Sequence, residues 1–190
     1  MARIGMKHPV WAPLTKENNG QMPTYGKGLV IGGAVAGSIT FQRSDARQYA
    51  DDVLKESDNS ITGGTVSIEV DGVSMEGRKA ILGNVENDDG SIDTTGAPTP
   101  YGGYGYVEEI STNNVKSYSA MWLYKVQLGQ NSINSGTRGQ STSYQTTTLD
   151  GNLSAVVPNA DMQERFRRYK EFPTLQEAFA WLDDLAGITA

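Results

Sequence analysis

The sequence predicts an all-β-dominated fold with a short helix after its central strand and an amphipathic helix near its C-terminal end. Three observations carry this. Val66, Ile68 and Val70 alternate with Thr65, Ser67, Glu69 and Asp71, the period of two expected of a strand with one dry and one wet face. Glycine occurs 22 times and Ser and Thr recur throughout, against only 37% hydrophobic residues, so turns are many and the core is modest. Clear helical periodicity is confined to two short stretches, 73–82 and 174–186. A chain of 190 residues is long enough for one well-buried core and too short for two, so a single domain, 1–190, is expected.

In chain order, residues 1–25 are broken by Pro9, Pro13 and Pro23 and by the turn signal Asn18-Asn19-Gly20. They read as an N-terminal arm, loose or docked on a neighbour, with an edge strand around Val10 to Ala12. Residues 29–43 form the longest strand candidate. One face carries Leu29, Ile31, Val35, Ile39 and Phe41, and the other is small and polar through Ser38, Thr40 and Gln42; Gly32, Gly33 and Gly37 mark either bulges or close approach of another backbone. Residues 47–56 give a weaker strand, expected to pair back on the one before it. Gly63-Gly64 opens the strand 61–70, Asp71-Gly72 turns it, and Val73, Gly77, Ala80 and Ile81 share a helical face that Gly83 stops. Residues 84–100 form a long polar loop, a length that compact domains seldom keep without a use.

Two further strands, 101–112 and 116–128, flank a turn at Thr112-Asn113-Asn114. In the second, Tyr118, Ala120, Trp122, Tyr124, Val126 and Leu128 align as an aromatic core stripe. Residues 137–148 read as extended but polar on both faces, Leu149-Asp150-Gly151-Asn152 as a turn, and 153–157 as a short strand. Residues 161–171 fit a helix or a strand equally. Thr174 and Glu177 have capping-box spacing behind Pro173, and Leu175, Phe179, Leu182 and Leu185 make the apolar stripe of the C-terminal helix 174–186. Burying each of those four contributes roughly 1.5–3 kcal/mol before entropy.

Composition removes several chemistries. A formal charge of −6 argues against tight nucleic-acid binding, and the absence of cysteine removes disulfides, thiolate ligands and thiol nucleophiles. His8, the single histidine, reads as a surface residue and leaves no triad or His-rich metal cluster. The glycines around Gly26–Gly33 lack the Lys-Ser/Thr of a phosphate loop, and Asn87-Asp88-Asp89-Gly90 lacks the ligand spacing of a calcium loop. Asp51-Asp52 and Asp183-Asp184 are sequence neighbours that point apart. No catalytic, metal or cofactor site is expected, and the protein reads as no enzyme. Residues 1–10 hold no run of signal-peptide length and no stretch approaches about 18 apolar residues, so a soluble protein folded in the cytoplasm, without membrane contact, is expected.

Several motifs in fixed order are similar to a known family. They are Gly26-Lys27-Gly28 before a long strand, Tyr49-Ala50-Asp51-Asp52, Gly63-Gly64 leading to Ile68-Glu69-Val70 and a helix closed by Leu82-Gly83, and Tyr101-Gly102-Gly103-Tyr104-Gly105-Tyr106. Trp122-Leu123-Tyr124-Lys125-Val126, the Thr-rich run to Leu149, and Phe172 before Ala178 and Trp181-Leu182 complete the set. Together they resemble the major tail protein family of long-tailed, non-contractile bacteriophages, the tail-tube subunits.

That resemblance implies a β-sandwich with flanking helix, the tail-tube fold, assembling into six-membered rings that stack into a hollow conduit for genome ejection. It implies a virion protein made in a bacterial host, whose partners are itself and the tape-measure, tail-terminator and tail-tip proteins, with DNA passing but not tightly bound. An acidic subunit suits such a conduit. The candidate lumen-lining residues are Ser38, Thr40 and Gln42 with Thr65, Ser67 and Glu69, plus parts of 137–148, because these faces are extended, hydrophilic and nearly free of Lys and Arg; outward solvent and subunit contacts are the other placements open to them. Two rival classes remain: a monomeric β-barrel whose pocket is lined by Tyr118, Trp122 and Tyr124, and a glycan-binding or hydrolytic β-domain. Within phage structure, a minor tail component or the inner tube of a contractile particle is the nearest alternative.

Overall fold

The computed structural model describes residues 2–50, 53–113, 115–133, 135–136 and 145–188. Its elements are β1 (Ala2–Lys16), β2 (Thr24–Tyr25), β3 (Leu29–Val30), β4 (Ala34–Arg43), β5 (Ala46–Ala50), β6 (Val53–Asp58), β7 (Ile61–Val70), α1 (Met75–Leu82), β8 (Val85–Glu86) and β9 (Ile92–Asp93). Then follow β10 (Tyr101–Thr112), β11 (Val115–Gly129), β12 (Thr147–Ser154), β13 (Arg167–Phe172) and α2 (Leu175–Ala186). The fold is all-β-dominated. Nine strands join one antiparallel sheet in the order β2-β1-β10-β11-β12-β7-β4, with β3 on β1 and β13 on β11; β5-β6 and β8-β9 are separate two-stranded ribbons.

Strand β11 is shared by two halves of the sheet. Tyr118 to Leu123 pair with β13, and Lys125 to Gly129 pair with β12. The sheet bends enough for Met6 of β1 to lie against Gly37 of β4, and for Arg167 of β13 to sit 4.9 Å over the Phe41 ring of β4. The concave face encloses the larger core, with Trp11, Ile31, Ile68, Ile81, Tyr104, Leu123, Leu128 and Leu149 all nearly inaccessible. A second core lies on the other face of β1, β10 and β11, where Val10, Ala12, Val107, Ala120, Trp122 and Tyr124 are covered by Ala178, Leu182 and Ala186 of α2.

Both helices form where expected and for the expected reasons. Ser74 Oγ accepts from the Gly77 amide at the start of α1, and Gly83 closes it at φ 67°. Thr174 Oγ1 accepts from the Glu177 amide at the start of α2, and Gly187 closes it at φ 63°. Of the four stripe residues, Leu182 is fully buried, while Leu175, Phe179 and Leu185 are half-buried against the second core.

Elsewhere tertiary pairing overrides local signals. The expected arm is instead the 15-residue strand β1, interior to the sheet, with Val10, Trp11 and Ala12 fully buried between β10 and β3. Pro9 is tolerated because the ladder breaks where it falls: the register shifts between Lys7 and Val10, His8 takes φ 55°, and the Pro9 carbonyl accepts from Ile31 N at 2.8 Å, while Pro13 stays in register opposite Gly102 and its carbonyl accepts from Gly26 N at 2.8 Å. The long strand 29–43 splits into β3 and β4 at Gly32, where a Cβ would stand 2.2 Å from the Gly72 carbonyl oxygen; the shift between Ala34 and Ala36 turns Val35 outward. The described residues of 47–56 do not pair back on β4; 47–50 and 53–56 pair with each other in the β5-β6 ribbon, which continues the β4-β7 pair.

Three later expectations also change. Tyr118, Ala120, Trp122 and Tyr124 face α2, but a bulge opposite Gly102–Tyr104 puts Val126 and Leu128 into the other core, so the stripe divides between two cores. The Asp150-Gly151-Asn152 turn does not form, because β12 is held on both sides, by β11 and β7. Residues 167–172 are a strand, completed by β11 rather than by their own periodicity. The extended reading of 137–148 holds from Thr147, and 137–144 lie outside the described residues, as do Asp51 and Asp52.

Candidate functional site

The six residues singled out on the polar faces are brought together. Strands β4 and β7 pair so that Ser38 stands opposite Ser67, Thr40 opposite Thr65, Ala36 opposite Glu69 and Gln42 opposite Gly63. Because directly paired residues share a face, these side chains form one surface, while Val66, Ile68 and Val70 point from β7 into the core. Strand β12 extends the same surface: Thr148 pairs with Glu69, Asp150 with Ser67 and Asn152 with Thr65. Strand β11 adds Gln127, opposite Asn152. Four strands thus present one polar face.

Hydrogen bonds order it. Ser67 Oγ donates to Asp150 Oδ1 at 2.7 Å, Asn131 Nδ2 to Asp150 Oδ2 at 3.2 Å, and Thr146 Oγ1 to Glu69 Oε1 at 2.5 Å. Gln127 Nε2 donates to the Thr99 carbonyl at 2.6 Å. An open groove of about 410 Å³ runs between Ser38, Thr65, Ser67, Gln127, Asp150 and Asn152. The two carboxylates of the polar face are Asp150, in this groove, and Glu69, beside it, and neither Lys nor Arg stands among the face residues named here. At the margin, Lys125 is paired with Glu17 at 2.6 Å. Such a face offers hydroxyls, amides and carboxylates to water, without a fixed cation for a phosphate.

The β12 and β11 contributions were missed in the sequence because Asp150-Gly151-Asn152 has the composition of a turn. The alternation of Leu149, Gly151 and Leu153 against Thr148, Asp150 and Asn152 is the signal that identifies the strand.

Glu109, His8, Tyr25, Trp122 and Tyr124, outside this face, have structural roles. Glu109, only 6% exposed, accepts from Lys116 at 2.6 Å and Lys7 at 2.7 Å, which hold its carboxyl at about 2. His8 is half-buried, not a surface residue: its ring stacks on Phe179 at 4.3 Å between centroids, and Nε2 lies 2.8 Å from Asp183 Oδ1, tying the β1 bulge to α2. Burial raises the Tyr25 phenol, whose hydroxyl donates to the Tyr124 carbonyl at 2.7 Å. Trp122 and Tyr124, offered above as the wall of an apolar pocket, are covered by α2. Among the described residues, no three His, Cys, Asp or Glu side chains converge on a possible metal position, and no helix is long and apolar enough to cross a membrane.

Comparison with known protein families and with curated proteins returns no match to this chain.

Proposed function

We propose that this protein is the repeating subunit of a hollow tube, a phage tail tube of stacked six-membered rings in its most specific form, whose lumen is lined by the polar face of β4, β7, β12 and β11. The observation that carries the reading is the cation-free continuity of that face across four strands. A duplex carries one phosphate charge per about 1.7 Å of axis, so even a few well-placed Lys or Arg residues repeated around a ring would retard it. The face meets a sliding polyanion with hydroxyls, amides and two carboxylates. Strand β4 also stands at the edge of the sheet with Val35, Ala36, Gly37 and Ser38 exposed, a strip of small residues on which a neighbour can pack closely.

The partners of this reading are further copies of the chain, with tape-measure, terminator and tip proteins at the ends of the tube. The test is negative-stain electron microscopy of the purified protein across concentration and salt. Rings or tubes with a central channel are expected. A protein that remains monomeric in every condition, including with tail-assembly partners present, overturns the proposal.

A further inference from the structure

Strand β13 places three cations on an exposed edge of an acidic protein. Arg167, Arg168 and Lys170 are all exposed, and among the described residues none of them enters an ion pair, whereas Arg3, Lys7, Lys79, Lys116, Lys125 and Arg165 each do. Their charges rest on aromatic rings instead: Arg168 lies 6.0 Å from the Tyr124 centroid and Lys170 5.0 Å from that of Phe172. Among the described residues the only ladder partner of β13 is β11, and no described strand pairs along its outer edge. Edge cations commonly serve just to discourage strand pairing. Here a complementary surface exists on the same chain.

That surface is the loop 84–100, which carries Glu86, Asp88, Asp89 and Asp93 and no Lys or Arg. It is exposed from Val85 to Pro98 except at half-buried Ile92, yet shaped by the β8-β9 ribbon, with the Asp89 carboxylate accepting from Ser91 N and Oγ. Glu86 pairs with Lys79, while Asp88 and Asp93 enter no ion pair among the described residues. The loop sits at the Gly129 end of β11, where the Thr99 carbonyl meets Gln127 and Thr94, Thr95 and Ala97 line a recess with Gly129. Arg168 and Lys170 stand opposite Trp122 and Ala120, seven to nine residues back along the same strand (129 − 122 and 129 − 120). At about 3.3 Å per residue the separation is roughly 23–30 Å, more than twice a Debye length of about 8 Å. Among the described residues no ion pair joins the two charged surfaces within one molecule.

We infer that β13 is the docking strand for the acidic β8-β9 loop of a second copy of this chain. This rests on the self-assembly proposed above and adds its polarity. The two halves of the contact are different patches of the chain, so repeated head-to-tail it gives a closed ring or an open stack, whereas a reciprocal antiparallel pair would stop at a two-fold dimer; the self-assembly proposed above requires the first.

The test uses three charge-reversed full-length chains: Arg168→Glu with Lys170→Glu, Asp88→Lys with Asp93→Lys, and all four together. Assembly is read by sedimentation velocity and electron microscopy at low and high salt, with thermal melting as the check on folding. Each double reversal is expected to raise the concentration at half-assembly by about tenfold or more, and the fourfold variant to restore it. If Arg168→Glu disturbs the packing over Tyr124, the loop variant together with carbodiimide cross-linking of Lys170 to Asp88 or Asp93 between wild-type copies reads the same contact. Double reversals that assemble like wild type, a folded fourfold variant that does not recover, or absence of that cross-link overturn the docking strand while leaving the tube reading intact. A wild-type chain that never assembles overturns both.

Discussion

Gly102, Gly103 and Gly105 leave room for two indole rings on opposite faces of β10. A Cβ at Gly102 would stand 2.3 Å from Trp11, and one at Gly103 would stand 2.1 Å from Trp122. Neither ring can retreat, since Trp11 and Trp122 are both fully buried, one in each core. Gly103→Ala is therefore expected to destabilise by about 1–3 kcal/mol through overpacking, measured as a lower urea midpoint at an unchanged slope. Glu109 allows a test by pH. Its carboxyl ordinarily titrates at 4.5 and is held at about 2 in the fold by Lys116 and Lys7. A depressed folded value means that the stabilisation is fully present above 4.5, declines as pH falls, and is lost below about 2. The stability difference between wild type and Glu109→Gln should thus be constant above pH 4.5 and shrink toward zero through that window. A difference that stays undiminished from pH 5 down to pH 2 would assign the role of Glu109 to packing rather than charge.

Helix α2 is the element whose loss would cost an entire core. Its N-cap, C-cap and apolar stripe are local signals, but its stability comes from covering β1, β10 and β11 through Ala178, Leu182 and Ala186. Leu182→Asp puts an unpaired charge at a fully buried position and is expected to cost more than about 4 kcal/mol, removing the cooperative thermal transition. Leu182→Ala should instead retain a transition, weakened by about 2–5 kcal/mol. Strand β1 carries the opposite lesson, because its prolines and its histidine read as an irregular terminus. The ladder with β10, the bulge at His8 and the Pro9 carbonyl make it an interior strand.

At the scale of the whole molecule, the polar face predicts how a tube would respond to charge. Thr40 and Thr65 are exposed cross-strand partners at the middle of that face. Thr40→Lys with Thr65→Lys should leave the subunit folded and the tubes intact in the microscope, yet slow DNA passage at low salt and recover it as salt rises. Normal delivery at low salt would place the face away from the channel.

Period-two alternation in 61–70, the caps and stripe of 174–186 and the start and stop of 75–82 were legible in the sequence, since each depends on residues within a few positions of one another. So were the six polar residues of β4 and β7, because wet and dry faces alternate along a single strand. What only the tertiary structure decided is which strands neighbour which. The ladder turns Asp150-Gly151-Asn152 from a turn into the third strip of the polar face, divides the β11 stripe between two cores, and makes a strand of Arg167–Phe172. The physical reason is that a strand gains its hydrogen bonds and its buried face from partners distant in sequence, so a segment with weak local preference takes the conformation its neighbours complete.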